Sequence, residues 1–186
     1  MNYSFKTLYN NMNQLYIFIE GPNDRRFFEI VIKPLLSEYF ECVQFYEYGT
    51  KTKKQVKTFL KALNNMGIKY IFVKDFDSSP CISKRKNDVI NKFTHCPNEL
   101  IQIVKVEIES WYAAGITDRL RKKIRCKDFS DCNKLTKDEF INNISTKHIL
   151  QDILIEILND YDLELAKKRN ATLNYLFVSM FNKVTA

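Results

Sequence analysis

Short apolar stretches alternate with longer segments of helical periodicity over the first 115 residues of the chain. Runs of four to eight apolar or β-branched residues, bounded by turn or helix-start signals, are typical of buried strands. Such runs predict strands at 15–20, 42–47, 70–75 and 100–106. The segments that follow them predict helices at 23–39, 53–66, 83–93 and 109–114. This alternation favours the α/β class, with a parallel sheet flanked by helices.

Helix-ending signals refine two of these helices. Lys33-Pro34 is expected to kink the first helix or end it early, because proline lacks the backbone N–H that a helix interior requires. Asn65-Met66-Gly67 is a good stop for the second helix, since glycine readily takes the left-handed conformation that closes a helix.

Beyond Gly115 the pattern changes. The sequence up to Lys137 is charged and loop-like, and helical periodicity then returns at 137–143, 147–159 and 162–182. Four apolar residues are predicted to share one helical face: Ile149, Ile153, Ile157 and Leu158.

Length and composition favour one compact unit. With 186 residues and 45% hydrophobic content, the chain can bury a single substantial core. No repeat, low-complexity stretch or long linker separates a second domain. We therefore predict an α/β core at 1–115 and a mainly helical C-terminal extension at 116–186 that packs on it.

Three short acidic clusters stand where predicted strands end. They are Glu20-Gly21-Pro22-Asn23-Asp24, Asp75-Phe76-Asp77 and Glu107-Ile108-Glu109. Because the carboxyl ends of parallel strands meet at one edge of a sheet, these carboxylates should lie together, where they would repel each other without a cation. All-oxygen ligands suit hard divalent ions, and the sequence offers no competing His/Cys cluster. The predicted cofactor is therefore Mg²⁺ or Mn²⁺.

The spacing of the first cluster gives its acids distinct positions. Glu20 ends the first strand, and Pro22 is compatible with the first turn of the following helix. Asp24 then lies in that turn, close to Glu20. A carboxylate there is also favoured by the helix dipole alone, so Asp24 is either a metal ligand or a helix-start acid.

The second cluster places two acids one residue apart. In extended backbone Asp75 and Asp77 project to the same side, while Phe76 turns into the core. Such a pair can hold one metal ion or bridge two. The alternative is that these aspartates cap a loop, as the following Ser78-Ser79-Pro80 would suit.

These strings resemble a known family. The strand ending in Glu20-Gly21-x-x-Asp24 and the later strand ending in Asp75-x-Asp77 are similar to the topoisomerase–primase (Toprim) domain. Glu109-Ser110-Trp111-Tyr112 resembles the third acidic element of the overcoming-lysogenization-defect (OLD) nucleases and of small Toprim proteins of phage defence. The resemblance covers residues 14–115 and implies a set of five metal-binding acids: Glu20, Asp24, Asp75, Asp77 and Glu109.

The resemblance implies a metal-dependent nuclease that hydrolyses phosphodiester bonds in DNA or RNA, as an effector in phage defence. Glu20, Asp75 and Asp77 are then the catalytic residues, with Glu20 as metal ligand or general base. Glu109 is preferred to Glu107 because its sequence context is the better match. No tyrosine can be assigned as a covalent nucleophile, which favours hydrolysis over strand passage.

The sequence also departs from the family. It holds no ATPase segment like that of the OLD proteins, no strand-passage tyrosine context and no primase zinc module. Two alternatives therefore stay open. One is a catalytically silent binding or sensor subunit of a larger complex, with an ATPase or another protein as partner. The other is a different metal-dependent phosphotransfer enzyme, such as a nucleotidyl transferase or a nucleotide phosphatase.

The charge pattern suits a polyanionic partner. The formal net charge is +7, and basic runs flank the acidic clusters. The residues predicted to contact nucleic acid are Lys84, Arg85, Lys86, Arg121, Lys122 and Lys123, and a further run contains Lys51, Lys53, Lys54 and Lys57. Each run can equally be a solvated helix face.

Other residues near the acids have two interpretations each. Trp111 and Tyr112 either stack on an unpaired base or pack on the sheet edge. Arg25 or Arg26 either binds a scissile phosphate or forms a salt bridge with a nearby acid. Lys74 and Lys105 are either candidates for neutralising charge on the phosphate or strand-end residues that face solvent.

Cysteine usage and hydropathy indicate the cellular setting. Five cysteines are scattered without a C-x-x-C pair, which favours reduced thiols and a cytoplasmic location. The polar N-terminus and the lack of an apolar run of about 20 residues predict neither a signal peptide nor a membrane partner.

Overall fold

Four parallel strands form the sheet in a computed structural model, which describes residues 13–129, 131–144 and 149–185. The strands are β1 (Gln14–Ile19), β2 (Cys42–Glu47), β3 (Lys69–Asp75) and β4 (Ile101–Val104). Their order is β2-β1-β3-β4, so β1 and β3 are central. Phe18 of β1 lies in register with Tyr46 on one side and with Phe72 on the other. The predicted α/β class with a parallel sheet is confirmed.

Helices connect the strands and, with the loops between them, complete the described chain. The first five are α1 (Pro22–Phe27), α2 (Lys33–Leu36), α3 (Lys53–Met66), α4 (Ile82–Lys92) and α5 (Glu109–Ala114). Those of the extension are α6 (Asp118–Lys123), α7 (Lys137–Asn143), α8 (Leu150–Asn159), α9 (Leu163–Arg169), α10 (Ala171–Tyr175) and α11 (Asn182–Thr185). The predicted bounds of α3, α5 and α7 are confirmed, and those of α4 differ by one residue at each end.

The first helix is irregular before Pro34 and ends early, as the sequence predicted. A π-helical turn at Phe28–Ile32 joins α1 to α2, and the N–H of Lys33 donates to the carbonyl of Phe28. Pro34 has no N–H to donate, so the regular α pattern changes next to it. Helical structure then ends at Leu36, three residues before the predicted end.

The predicted loop between Gly115 and Lys137 contains a helix. Thr117 starts α6, and its hydroxyl oxygen accepts a hydrogen bond from the N–H of Leu120 at 3.1 Å. This capping makes a helix out of a charged segment that has little apolar periodicity of its own.

The predicted helices of the extension are also corrected in two places. The segment 162–182 is divided at Asn170, whose side chain caps α10 by accepting from the N–H of Thr172 and of Leu173, each at 3.1 Å. Ile149 was predicted to share a face with the buried Ile153, but it is 70% exposed, because it is the N-cap that precedes α8. Residues 147 and 148 of the predicted helix lie outside the described residues.

Alternating side chains of the strands build a core on each face of the sheet. Ile17, Ile71 and Val104 face α1, α5 and the extension. Phe18, Phe72 and Ile103 face α3 and α4, which contribute Leu60 and Val89 among others. Since α8 adds Ile153 and Ile157 to the first core, the extension shares that core with the sheet.

Close contacts fix the extension to α5. The hydroxyl of Tyr161 donates to the carbonyl of Trp111 at 2.7 Å. A Cβ at Gly115 would lie 2.2 Å from the Tyr161 ring, so this approach requires glycine. Thr172 accepts hydrogen bonds from the Trp111 indole at 3.0 Å and from the N–H of Lys105 at 3.2 Å. In the described ranges no helix has the length and apolar character to span a membrane.

Thr172→Val should destabilise the protein by about 2 kcal/mol or more. The variant keeps the shape of the side chain but leaves the buried Trp111 N–H and the Lys105 N–H without an acceptor, at about 1–3 kcal/mol for each buried unsatisfied donor. Urea unfolding measures the loss, with the exposed Thr94→Val as the control. Equal stability of the two variants would show that this junction does not hold the extension.

Candidate acidic site

Four carboxylates converge at the carboxyl edge of the sheet. Two follow from the central strands and two from the helices that start at this edge: Glu20 directly after β1, Asp75 at the end of β3, Asp24 in the first turn of α1 and Glu109 at the start of α5. Asp24 and Glu109 are only 6% and 3% exposed. Burial and the charges of the neighbouring acids together disfavour the ionised forms of Asp24 and Asp75.

The loop after β2 fixes Glu20. The N–H of Gly49 donates to the Glu20 carbonyl at 3.1 Å, and a Cβ at Gly49 would lie 2.2 Å from that oxygen. Only glycine permits this close approach. The Tyr48 hydroxyl donates to the carbonyl of Val73 at 2.9 Å and lies 3.4 Å from a carboxylate oxygen of Glu20. Neighbouring strands therefore position Glu20 through this loop.

Asp24 is held as a helix-start acid and also belongs to the cluster. Its carboxylate accepts a hydrogen bond from the N–H of Gly21 at 3.1 Å. Burial raises the pKa of Asp24 to about 6, the Gly21 hydrogen bond opposes this, and the charges of Glu20 and Glu109 add to it. The two sequence interpretations of Asp24 are thus compatible.

Asp75 is the least compensated acid of the cluster. Its Oδ1 atom is buried and has no hydrogen-bond partner among the described residues. Burial raises the pKa of Asp75 to about 8, the charge of Asp24 is the next cause, and Glu20 and Glu109 contribute further. Lys74 opposes the rise but does not cancel it. The site therefore lacks positive charge at Asp75.

Asn23 orients Glu109. The Asn23 amide donates to Glu109 Oε1 at 3.1 Å, and the Arg26 guanidinium donates to Asn23 Oδ1 at 3.2 Å. The Tyr112 hydroxyl donates to the Asn23 carbonyl at 2.9 Å. Sequence reasoning did not single out Asn23, although its place between Glu20 and Asp24 was the available signal.

The prediction that Asp77 projects to the same side as Asp75 is wrong. It required extended backbone through Asp77, but β3 ends at Asp75 and Asp77 has a φ of +50° in the following turn. Its carboxylate pairs with Arg85 and lies 3.4 Å from the Lys74 ammonium. The two aspartates therefore belong to different parts of the site.

Lys74 is the cation nearest to the acids of the sheet edge. Its ammonium pairs with Glu20, and its side chain is 15% exposed, against 43% for that of Glu20. Both line a cavity of about 100 Å³ together with Tyr48 and Arg85. Lys74 thus occupies the position of a counter-ion rather than a solvent-facing strand end.

The third cluster divides its two acids between separate tasks. Glu107 accepts a hydrogen bond from the N–H of Lys137 at 2.8 Å, at the start of α7. Glu109 faces the other acids, and the Lys137 ammonium lies 3.6 Å from its Oε1 atom. Lys137 gave no sequence signal, because 28 residues separate it from Glu109.

Most of the cations predicted to bind nucleic acid are already paired. Lys84 pairs with Asp88, Arg85 with Asp77, Arg121 with Asp118 and Asp128, and Lys123 with Glu156. The Lys86 ammonium donates to a backbone carbonyl at 3.2 Å, and burial lowers its pKa. Lys122 is exposed on α6.

The remaining residues near the acids are structural. Trp111 and Tyr112 are fully buried, so of their two interpretations the structure supports packing and not stacking on a base. Arg25 pairs with Glu29 and with Glu47, each at 3.0 Å.

All five cysteines are free thiols.

Comparisons of the chain with protein-family models, curated proteins and solved structures found no match. Within the described ranges, no three His, Cys, Asp or Glu side chains are grouped closely enough to hold one metal ion as they stand.

Asp75→Asn should stabilise the protein in EDTA at pH 8 and leave its stability nearly unchanged at pH 4. Between these values the unfolded carboxyl, with a pKa near 3.8, has lost its proton while the native one retains it, so wild-type stability falls as pH rises toward about 8. Asparagine removes this loss, which is of the order of a few kcal/mol at about 1.4 kcal/mol per pKa unit.

Urea unfolding from pH 4 to pH 8 measures the effect of Asp75→Asn. Asp88→Asn is the matched control, because Asp88 lies on the same cavity but pairs with the exposed Lys84. A variant that loses stability at pH 8 would contradict the uncompensated charge that we assign to Asp75.

Proposed function

We propose that the chain is a Toprim-like, metal-dependent nuclease that hydrolyses phosphodiester bonds. The observation that carries this proposal is the buried, unpartnered Oδ1 atom of Asp75, which lies within the fields of Asp24, Glu20 and Glu109. Burying a carboxylate without a compensating charge is costly, so such an arrangement favours a cation as its ligand.

The chemistry of the donor set suits Mg²⁺ or Mn²⁺, and the carboxylates would have to move closer together to hold one ion. The ligands would be Glu20, Asp24, Asp75 and Glu109, all of them carboxylates, and hard divalent ions prefer oxygen. Bound there, such an ion would stabilise negative charge on a phosphodiester and increase the acidity of a water molecule.

The protein's own residues have distinct parts in this proposal. Glu20 is the most exposed acid of the four and is held through Gly49 and Tyr48, so it is placed to accept a proton from water. Asn23 keeps the Glu109 carboxylate in a fixed orientation. Lys74 would leave Glu20 when that carboxylate acts, and its ammonium would then be free to neutralise a phosphate oxygen.

Asp77 takes a lesser part than the resemblance implies. Its pairs with Arg85 and Lys74 place it beside the rim cations rather than beside Asp75. We propose that it keeps Arg85 in position next to the cavity, and that it becomes a ligand only if those ion pairs open.

The resemblance also suggests a setting for this activity. It implies an effector of phage defence that cuts DNA or RNA in the cytoplasm, alone or with a partner such as an ATPase. The acidic set of Glu20, Asp24, Asp75 and Glu109 supports the cutting activity in this proposal.

A second candidate is a catalytically silent binding or sensor subunit. The ion pairs of Lys74 with Glu20 and of Arg85 with Asp77 favour it, because internal cations then neutralise two acids without a metal. Such a protein would bind nucleic acid or a partner and cleave nothing.

Asp75→Asn should abolish divalent-ion-dependent cleavage. The purified wild type is incubated with plasmid DNA, single-stranded DNA and structured RNA in Mn²⁺, Mg²⁺ or EDTA, and we expect cutting only with an ion present. Asp75→Asn should also reduce the rise in melting temperature that Mn²⁺ gives the wild type, since an ion stabilises only the state that binds it. Asp88→Asn should behave as the wild type in both assays.

The paired outcomes separate the two candidates. Cleavage by Asp75→Asn at the wild-type rate would refute the assignment of Asp75 to the catalytic site. A wild type that binds nucleic acid but leaves every substrate intact with either ion would favour the silent subunit.

A further inference from the structure

The segment from Tyr48 to Lys74 contains no acidic residue. Five of its lysines lie on α3 or in the loop that leads into it: Lys51, Lys53, Lys54, Lys57 and Lys61. In the part of the chain that the structure describes, none of these five ammonium groups forms an ion pair. On α4 and α6, by contrast, acidic neighbours pair with Lys84, Arg121 and Lys123. Among the described residues, α3 and the loop before it therefore carry a run of five cations without an acidic partner.

The lysines of α3 form a regular stripe. Val56, Leu60 and Leu63 face the sheet and are buried. Lys53, Lys57 and Lys61 follow one another at intervals of four residues, so their Cα atoms are spaced by about 6 Å along one flank of the helix, where Lys53 and Lys61 are exposed and Lys57 is partly exposed. A row of cations at such spacing suits a linear polyanion.

A shallow aromatic recess lies on the side of α3 next to β2, about 120–160° around the helix from this stripe, and Lys54 is the lysine that lines it. It has a volume of about 410 Å³ and is lined by Tyr46, Lys54, Gln55, Thr58, Phe59 and Ala62. The rings of Tyr46 and Phe59 are 4.6 Å apart and both are partly exposed, with Lys54 at the border. Aromatic faces next to lysines are the combination that holds an unpaired base and its phosphate.

The recess and the acidic site both lie near the carboxyl end of the sheet. Tyr46 is the penultimate residue of β2 and lies in register with Phe18, two residues before Glu20. The loop that joins β2 to α3 touches Glu20 through the Gly49 hydrogen bond. A strand laid along α3 with a base in the recess would therefore lead toward the carboxylates.

We propose that the solvent-facing surface of α3, with the stripe Lys53, Lys57 and Lys61 and the recess lined by Lys54, Tyr46 and Phe59, binds single-stranded nucleic acid. Its role as the path of the substrate rests on the proposed nuclease function, whereas binding itself does not. An acidic peptide would use the lysines but not the paired rings. A lipid surface requires apolar side chains that protrude, and these rings are recessed.

Replacing Lys53, Lys57 and Lys61 together by Gln should weaken binding of a single strand. The measurement is the anisotropy of a fluorescent 20-nucleotide strand in EDTA. The salt dependence should fall by about 2 in log–log slope, at about 0.7 for each phosphate contact in a single strand. The matched control replaces Lys134, Lys167 and Lys168 by Gln, which makes the same change in charge on the extension, across the sheet from α3. The control should keep the wild-type slope.

Phe59→Leu should weaken binding of the same strand at least about fivefold, because stacking of one base contributes about 1–3 kcal/mol. It should leave the salt slope unchanged, since no charge is removed. Circular dichroism melting identifies any loss of folding, and Tyr46→Leu provides an independent test of the recess. A duplex of the same sequence should bind more weakly, because its bases are already stacked on each other.

Several results would overturn this proposal. The first is an unchanged salt slope in the α3 lysine variant, or an equal loss of slope in the control variant. The second is wild-type affinity for the single strand in both ring variants. The third is binding of the duplex, of poly-glutamate or of anionic phospholipid vesicles that is as tight as binding of the single strand. Failure of binding here is distinct from failure of the nuclease, which is decided by ion-dependent cleavage.

Discussion

Repulsion among carboxylates at one edge of a parallel sheet is the constraint on which the rest of this structure depends. β1 and β3 are adjacent and run in the same direction, so Glu20 and Asp75 must emerge side by side. The helices α1 and α5 begin at the same edge and add Asp24 and Glu109. Two aromatic and aliphatic cores hold these elements in place, and hydrophobic burial can therefore enforce a charge arrangement that would not form by itself.

The repulsion between carboxylates is compensated differently on the two sides of the site. On the outer side, Lys74 and Arg85 pair with Glu20 and Asp77. On the inner side, no cation of the described residues forms an ion pair with Asp24 or Asp75, and burial, together with the charges of neighbouring acids, raises the pKa values of both. Cations of the protein therefore neutralise Glu20 and Asp77. The charges of Asp24 and Asp75 can be neutralised by protonation or by a bound ion. Binding of an ion at Asp24 and Asp75 would favour the nuclease, and protonation alone would favour the silent subunit.

The sequence was sufficient for features that depend on local pattern. Apolar runs predicted the strands, and the positions of acids at strand ends predicted that Glu20, Asp75 and Glu109 would meet. It was not sufficient where a single backbone angle or a distant contact decides the outcome. Asp77 turns away because its φ is positive, which a two-residue spacing does not reveal.

Long-range partners were equally hidden in the sequence. Lys137 reaches Glu109 from the extension, and Glu156 on α8 pairs with Lys123. The basic runs of α4 and α6 were as prominent in the sequence as the lysines of α3, and only the fold distinguishes paired cations from unpaired ones.

The most direct measurement is calorimetric titration of the wild type with Mn²⁺ at pH 7, in buffers of different ionisation enthalpy. We expect binding accompanied by release of about one proton, because the ion must displace protons from Asp75 and Asp24. The number released should decrease toward zero as pH rises well above 8. Absence of Mn²⁺ binding, or binding without proton release at pH 7, would contradict the view that these buried acids form an ion site.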